Sequence, residues 1–152
     1  MNYFSFVVDI PAPPDRVWAV MTDIEHWPEW TPTVTRIERL DPGPLRVGSR
    51  ARIRQPKLPT AVWQVSEFLE GRSFTWVSHS PAVRVTAEHG VEPTAGGTRA
   101  RLSVQFSGVL APLVARLTRR LNERYLALEA KGLSERSTRS LGSPPIVGGG
   151  AA

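Results

Sequence analysis

The sequence predicts an α+β domain: a curved antiparallel sheet of about seven strands wrapped around one long C-terminal helix, with two short helices after the first strand. Three observations predict it. Segments of alternating apolar and polar character open the chain and return about six times from Val34 onward. The connections between those later segments are short and built of Pro and Gly, which implies antiparallel hairpins. One long stretch of helical period then closes the chain, and strands grouped apart from that helix give an α+β order rather than a parallel sheet.

The first strand carries Phe4, Phe6, Val8 and Ile10 on one face and Tyr3, Ser5, Val7 and Asp9 on the other, the period-two pattern of a half-buried strand. Pro11 ends it. Pro13 and Pro14 then supply fixed φ for a helix's first turn, where a missing N–H costs nothing, and Asp15 complements the positive end. Val17, Trp18, Val20 and Met21 form its apolar face. The stretch Thr22 to Trp30 offers Thr or Asp as a cap and an aromatic pair interrupted by Pro28, which predicts a short second helix lying across the open end of the sheet.

Between the later strands stand Asp41-Pro42-Gly43-Pro44, Gly71, Pro81 and Thr94-Ala95-Gly96-Gly97, all turn formers. From Ala111 to about Arg136 the apolar residues Leu113, Val114, Leu117, Leu121, Leu126 and Leu128 recur opposite arginines, so this stretch is expected to be one amphipathic helix. These features delimit a domain over residues 1–136. Residues 137–152, rich in turn formers and without period, are expected to form a flexible tail.

At 152 residues the chain can bury roughly 70% of its unfolded surface. The 41% hydrophobic and 22% charged content is that of a globular domain. No apolar run approaches transmembrane length, and the start Met1 to Phe6 lacks the features of a signal peptide, so a cytoplasmic protein without integral membrane association is expected. Cysteine is absent and the three histidines show no ligand spacing. The expectation is therefore a site with neither metal nor cofactor. A net charge of +5 invites a nucleic-acid reading, but the basic residues are scattered and alternate with apolar ones, as on a solvated sheet face.

Strand alternation proposes an inward lining: Ala51, Ile53 and Gln55; Trp63 and Val65; Phe74, Trp76 and Ser78; Val83, Val85, Ala87 and His89; Leu102, Val104 and Phe106. Leu117, Leu121 and Tyr125 are expected to close the space from the helix. Trp63 and Trp76 read either as walls of a ligand site or as ordinary core. His89, between Ala87 and Val91, reads either as a proton-exchanging group or as a core histidine. Glu88 points the other way by period two and cannot orient it. Gln55, Ser78 and Tyr125 offer hydrogen bonds to an oxygenated ligand, whereas His26 and His79 are expected at the surface. Arg50, Arg52 and Arg54 read as a charged strand face that blocks edge pairing, or as a grip for phosphate or carboxylate.

Ala12-Pro13-Pro14-Asp15-Arg16-Val17-Trp18, followed by Asp23-Ile24-Glu25-His26-Trp27-Pro28-Glu29-Trp30, resembles the start of the polyketide cyclase/dehydrase-like branch of the START-like, or SRPBCC, superfamily. Val47-Gly48-Ser49 before a strand, Glu92 to Thr98 as a late hairpin, and the closing helix continue the resemblance over about residues 3 to 133. It implies a helix-grip fold with a cavity between sheet and helix. It implies no single catalytic residue, because the superfamily uses that cavity both for carrying lipids and for cyclising polyketides. Three functions follow: binding of a lipid, polyketide-like or isoprenoid molecule, cyclase/dehydratase chemistry with His89 shuttling protons, or docking of a partner or membrane through an exposed patch at Trp27 and Trp30.

Overall fold

A computed structural model describes residues 2–142 of the chain. β1 (Tyr3–Ile10) leads into α1 (Pro14–Thr22) and a 3₁₀ helix (Ile24–Glu29). There follow β2 (Arg36–Arg39), β3 (Arg50–Arg54), β4 (Ala61–Leu69), β5 (Ser73–Ser80), β6 (Val83–Thr94) and β7 (Gly97–Ser107), then α2 (Ala111–Leu117) and α3 (Arg119–Gly142). The seven strands form one sheet in the order β1-β7-β6-β5-β4-β3-β2, and every neighbouring pair is antiparallel. The fold class expected from the sequence is therefore the one found.

Each hairpin reflects its turn residues. Gly97, at the β6–β7 turn, has φ +152° and packs against the backbone of Ile10 and Ala12, with no room for a Cβ. Thr98 beside it donates its hydroxyl to the Ala12 carbonyl at 2.7 Å. The late hairpin is thus fastened to the start of α1. A register shift between Val65 and Glu67 bends β4 and helps the sheet curve.

One core lies on the concave face. α1 contributes Val17, Trp18, Val20 and Met21, the sheet contributes Ala51, Ile53, Val65, Phe74, Trp76 and Leu102, and α3 contributes Leu126, Ala130 and Leu133. The outer face carries the arginines. Arg50 pairs with Asp41 at 3.0 Å, Arg52 with Glu38 at 2.9 Å and Arg99 with Asp9 at 2.9 Å, so Arg50 and Arg52 are engaged with carboxylates of their own chain.

The C-terminal region departs from expectation in three ways. The single helix is divided at Thr118, whose hydroxyl donates to the Val114 carbonyl at 2.7 Å and accepts from Asn122 Nδ2 at 2.9 Å, a local side-chain competition that bends helices. The helical face is also rotated. Leu113 and Leu117 are 52% and 75% exposed, because tertiary packing selects a different stripe. Finally, α3 continues beyond Arg136 to Gly142, with Ser137 fully buried and its carbonyl accepting from Arg16 Nε at 3.5 Å. The remainder of the expected tail, residues 143–152, lies outside the described residues.

Trp27 is also placed differently from the patch considered above. It is 3% exposed, with its indole N–H donating to the Met21 carbonyl at 3.1 Å. Trp30 is partly buried and packs where a Cβ on Gly132 would overlap its carbonyl oxygen. The close approach of the 3₁₀ helix to α3 thus depends on that glycine.

Candidate functional site

Between the concave face of β3–β7 and the α2–α3 arm lies a cavity of about 710 Å³, within the size range of small-molecule sites. Its mouth is formed by exposed residues: Pro59, Thr60 and Val62 at the β3–β4 hairpin, His79 to Pro81 at the β5–β6 turn, and Leu110.

Strand pairing aligns the sheet wall. Trp76 lies opposite Ala87 and Ser78 opposite Val85, while across the next ladder Val85 faces Phe106, Ala87 faces Val104 and His89 faces Leu102. All of these side chains line the cavity, as do Gln55 and Trp63. Trp27 adds its ring from the 3₁₀ helix, 5.4 Å from Trp76 and 5.3 Å from His89 between centroids. Trp63 lies 5.8 Å from Trp76. The result is a continuous aromatic wall.

Five residues expected here are elsewhere. Ala51 and Val65 are buried in the core outside the lining. Phe74 is fully buried on the same sheet face beyond the inner end of the cavity, stacked on His89 of the neighbouring strand at 4.6 Å with only 9° between the rings. Leu117 points outward, and Leu121 is half-buried away from the lining. The helix contributes Thr118, Asn122, Tyr125, Leu126 and Glu129 instead. Apart from Leu126, these residues are polar and occur at helical spacing on one stripe.

Tyr125 lines the cavity and donates its hydroxyl to the Pro56 carbonyl, joining α3 to the β3–β4 hairpin. Glu129, which the reading by apolar period omitted, accepts a hydrogen bond from Thr33 Oγ1 at 3.1 Å; Thr33 is in turn paired with the Thr31 hydroxyl at 3.0 Å. The surrounding protein desolvates the carboxyl and raises its pKa to about 7, only partly opposed by the Thr33 donor. Near neutrality a large fraction therefore carries a proton and can donate. The signal that could have found it was Tyr125: with that residue turned inward, Thr118, Asn122 and Glu129 follow at helical offsets.

His89 has opposite properties. Buried among Phe74, Trp76 and Trp27, its imidazole has its pKa lowered to about 3 by desolvation, and its Nδ1 is buried without a hydrogen-bond partner. At neutral pH it is an uncharged ring. Glu88 is exposed on the other face, so no carboxylate on the same strand orients it. His26 is at the surface and bonds to Asp23 at 2.8 Å, which raises its pKa. His79 is exposed at the cavity mouth.

No curated protein matches the chain in sequence. Its structure is similar to that of the Zhui aromatase/cyclase from Streptomyces sp. R1128, with a TM-score of 0.75 at 16% identity over 91% of this chain and 94% of that one. A START superfamily protein from Mycobacterium smegmatis gives a TM-score of 0.71 at 17% identity, over 92% and 99% of the two chains. A hypothetical protein from Helicobacter pylori gives 0.78 at 19% identity, over 90% and 88%. Among the described residues no helix is long and apolar enough to cross a membrane. The family described as polyketide cyclase/dehydrase and lipid transport matches residues 1–138, and the chain belongs to that family.

Proposed function

We propose that the domain binds a hydrophobic molecule bearing oxygen functions, held between the aromatic wall of the sheet and the polar stripe of the helix arm. The observation that carries this reading is the opposition of Trp27, Trp63 and Trp76 to Thr118, Asn122, Tyr125 and Glu129 around one cavity. Desolvation of an apolar face against the tryptophans supplies about 25 cal/mol per Å² buried. The stripe supplies direction, because its hydroxyl, amide and carboxyl groups reward oxygen atoms placed along one edge. A flat polyketide-like compound suits this arrangement better than a plain acyl chain or isoprenoid, whose sides would leave the stripe unpaired.

A second reading, cyclase or dehydratase chemistry, is supported by the two titratable groups in the lining. A neutral imidazole at His89 can accept a proton, and the protonated fraction of Glu129 can donate one to a carbonyl or departing hydroxyl oxygen. The cavity would contribute by folding the substrate into a reactive geometry. Binding requires neither transfer, so the two readings separate by assaying the parent and His89→Ala together: turnover by the parent that the variant loses with affinity retained supports the enzyme, and binding by both without turnover supports the carrier.

Titration with an apolar fluorescent probe, read by energy transfer from tryptophan, tests the site itself. Val104→Trp fills the cavity from β7. Saturable binding by the parent, abolished in this variant while its circular dichroism is retained, is the expected result. An absence of saturable binding by the parent would overturn the reading.

A further inference from the structure

We propose that α2, together with the segment entering it, is a docking surface for an anionic lipid bilayer. Val109 is 86% exposed, Leu110 46%, Leu113 52% and Leu117 75%. Leu113 and Leu117 lie one turn apart on the outward face of α2, with Val109 and the partly exposed Leu110 of the cavity mouth preceding them. An exposed apolar cluster of this kind marks an interaction site.

Charge identifies the partner. The segment carries the exposed Arg116, Arg119 and Arg120; Arg119 pairs with Glu123 at 3.4 Å, and Arg116 and Arg120 leave the surface net basic. Arg116 and Arg119 also border a groove of about 610 Å³ shared with Tyr3 and Phe4. Protruding leucines with cations beside them suit an interface where acyl chains lie beneath phosphate headgroups.

The position adds a reason. Leu110, Val114 and Thr118 line the internal cavity, while Leu113 and Leu117 face outward from the same segment. A bilayer receiving these leucines would therefore lie at the cavity mouth.

Flotation of the full chain with phosphatidylcholine vesicles, with and without phosphatidylglycerol, tests the surface. Binding is expected to the anionic vesicles and to decrease as salt rises. Leu113→Ser/Leu117→Ser is expected to lower it about tenfold through lost apolar insertion. Arg116→Gln/Arg120→Gln is expected to lower binding to anionic vesicles alone. Both pairs are exposed, and retained circular dichroism checks folding. Failure of the folded parent to float at low salt overturns the proposal, as does unchanged flotation of the leucine variant. A dimer dissolved by the leucine substitutions, without flotation, overturns it too and assigns the face to a second copy. The assay contains no cavity ligand, so it can fail while the Val104→Trp titration succeeds, and the reverse.

Discussion

The two walls of the cavity are made by opposite means. On the sheet side, aromatic rings pack side by side on one face, with Phe74 stacked on His89 of the neighbouring strand and Trp76 edge-on to both. On the helix side, polar groups hang singly from α3, tied to the rest of the fold by individual hydrogen bonds such as Tyr125 to Pro56 and Thr33 to Glu129. The difference teaches that shape and specificity are separable here. The sheet wall is closely packed rings, whereas the helix wall presents the groups that, under the proposed function, would orient a ligand.

The largest expected effect removes the packing at the inner end of the sheet wall. Phe74→Ala removes a fully buried ring and should lower unfolding free energy by about 4 kcal/mol in urea titrations. A loss under about 1 kcal/mol would mean that the core beside the lining repacks freely.

Glu129→Gln sharpens the contrast on the helix side. A carboxyl whose pKa is higher folded than unfolded has its full stability at pH values below the unfolded value and loses it as pH rises through the folded one. For Glu129 that window runs from 4.5 to about 7. His89 acts in the opposite sense, adding stability as pH rises from about 3 to 6.5. The two slopes therefore oppose one another over much of the mildly acidic range. Relative to the parent, Glu129→Gln should gain stability with pH across the Glu129 window, by up to about 3 kcal/mol, and level off above it. Melting temperatures measured across that range check this, and a constant difference between the proteins would show that Glu129 ionises normally.

The smallest expected effect is at the latch. Tyr125→Phe keeps the ring and removes the donor to Pro56, so stability should fall by about 1 kcal/mol. Probe association in stopped-flow should quicken as the β3–β4 hairpin loosens. An unchanged rate would show that the bond does not govern entry.

The same contrast explains what could be read in the chain. Trp63, Trp76, Ser78, Val85, Ala87, His89, Val104 and Phe106 followed from period-two alternation, because a strand in a sheet has only two faces and one must be buried. Phe74 obeyed that parity but lies beyond the end of the cavity, a matter of depth that alternation does not encode. The helix misled for a related reason. A helix offers a continuum of faces, and the leucine stripe through Leu113 and Leu117 was the more apolar, yet the stripe through Thr118, Tyr125 and Glu129 is the one turned inward.

By itself the sequence determined the strands, their hairpins, the prolines that start α1 and the outward arginines, since these depend on local backbone preference and on which of two faces meets water. Only the tertiary structure decided which stripe of α2 and α3 faces the cavity, that Trp27 joins its wall, and that Glu129 is held where desolvation raises its pKa. Those outcomes arise from desolvation and contacts between residues far apart in the chain, such as Thr33 with Glu129 and Trp30 with Gly132, and no periodicity along a single segment carries them.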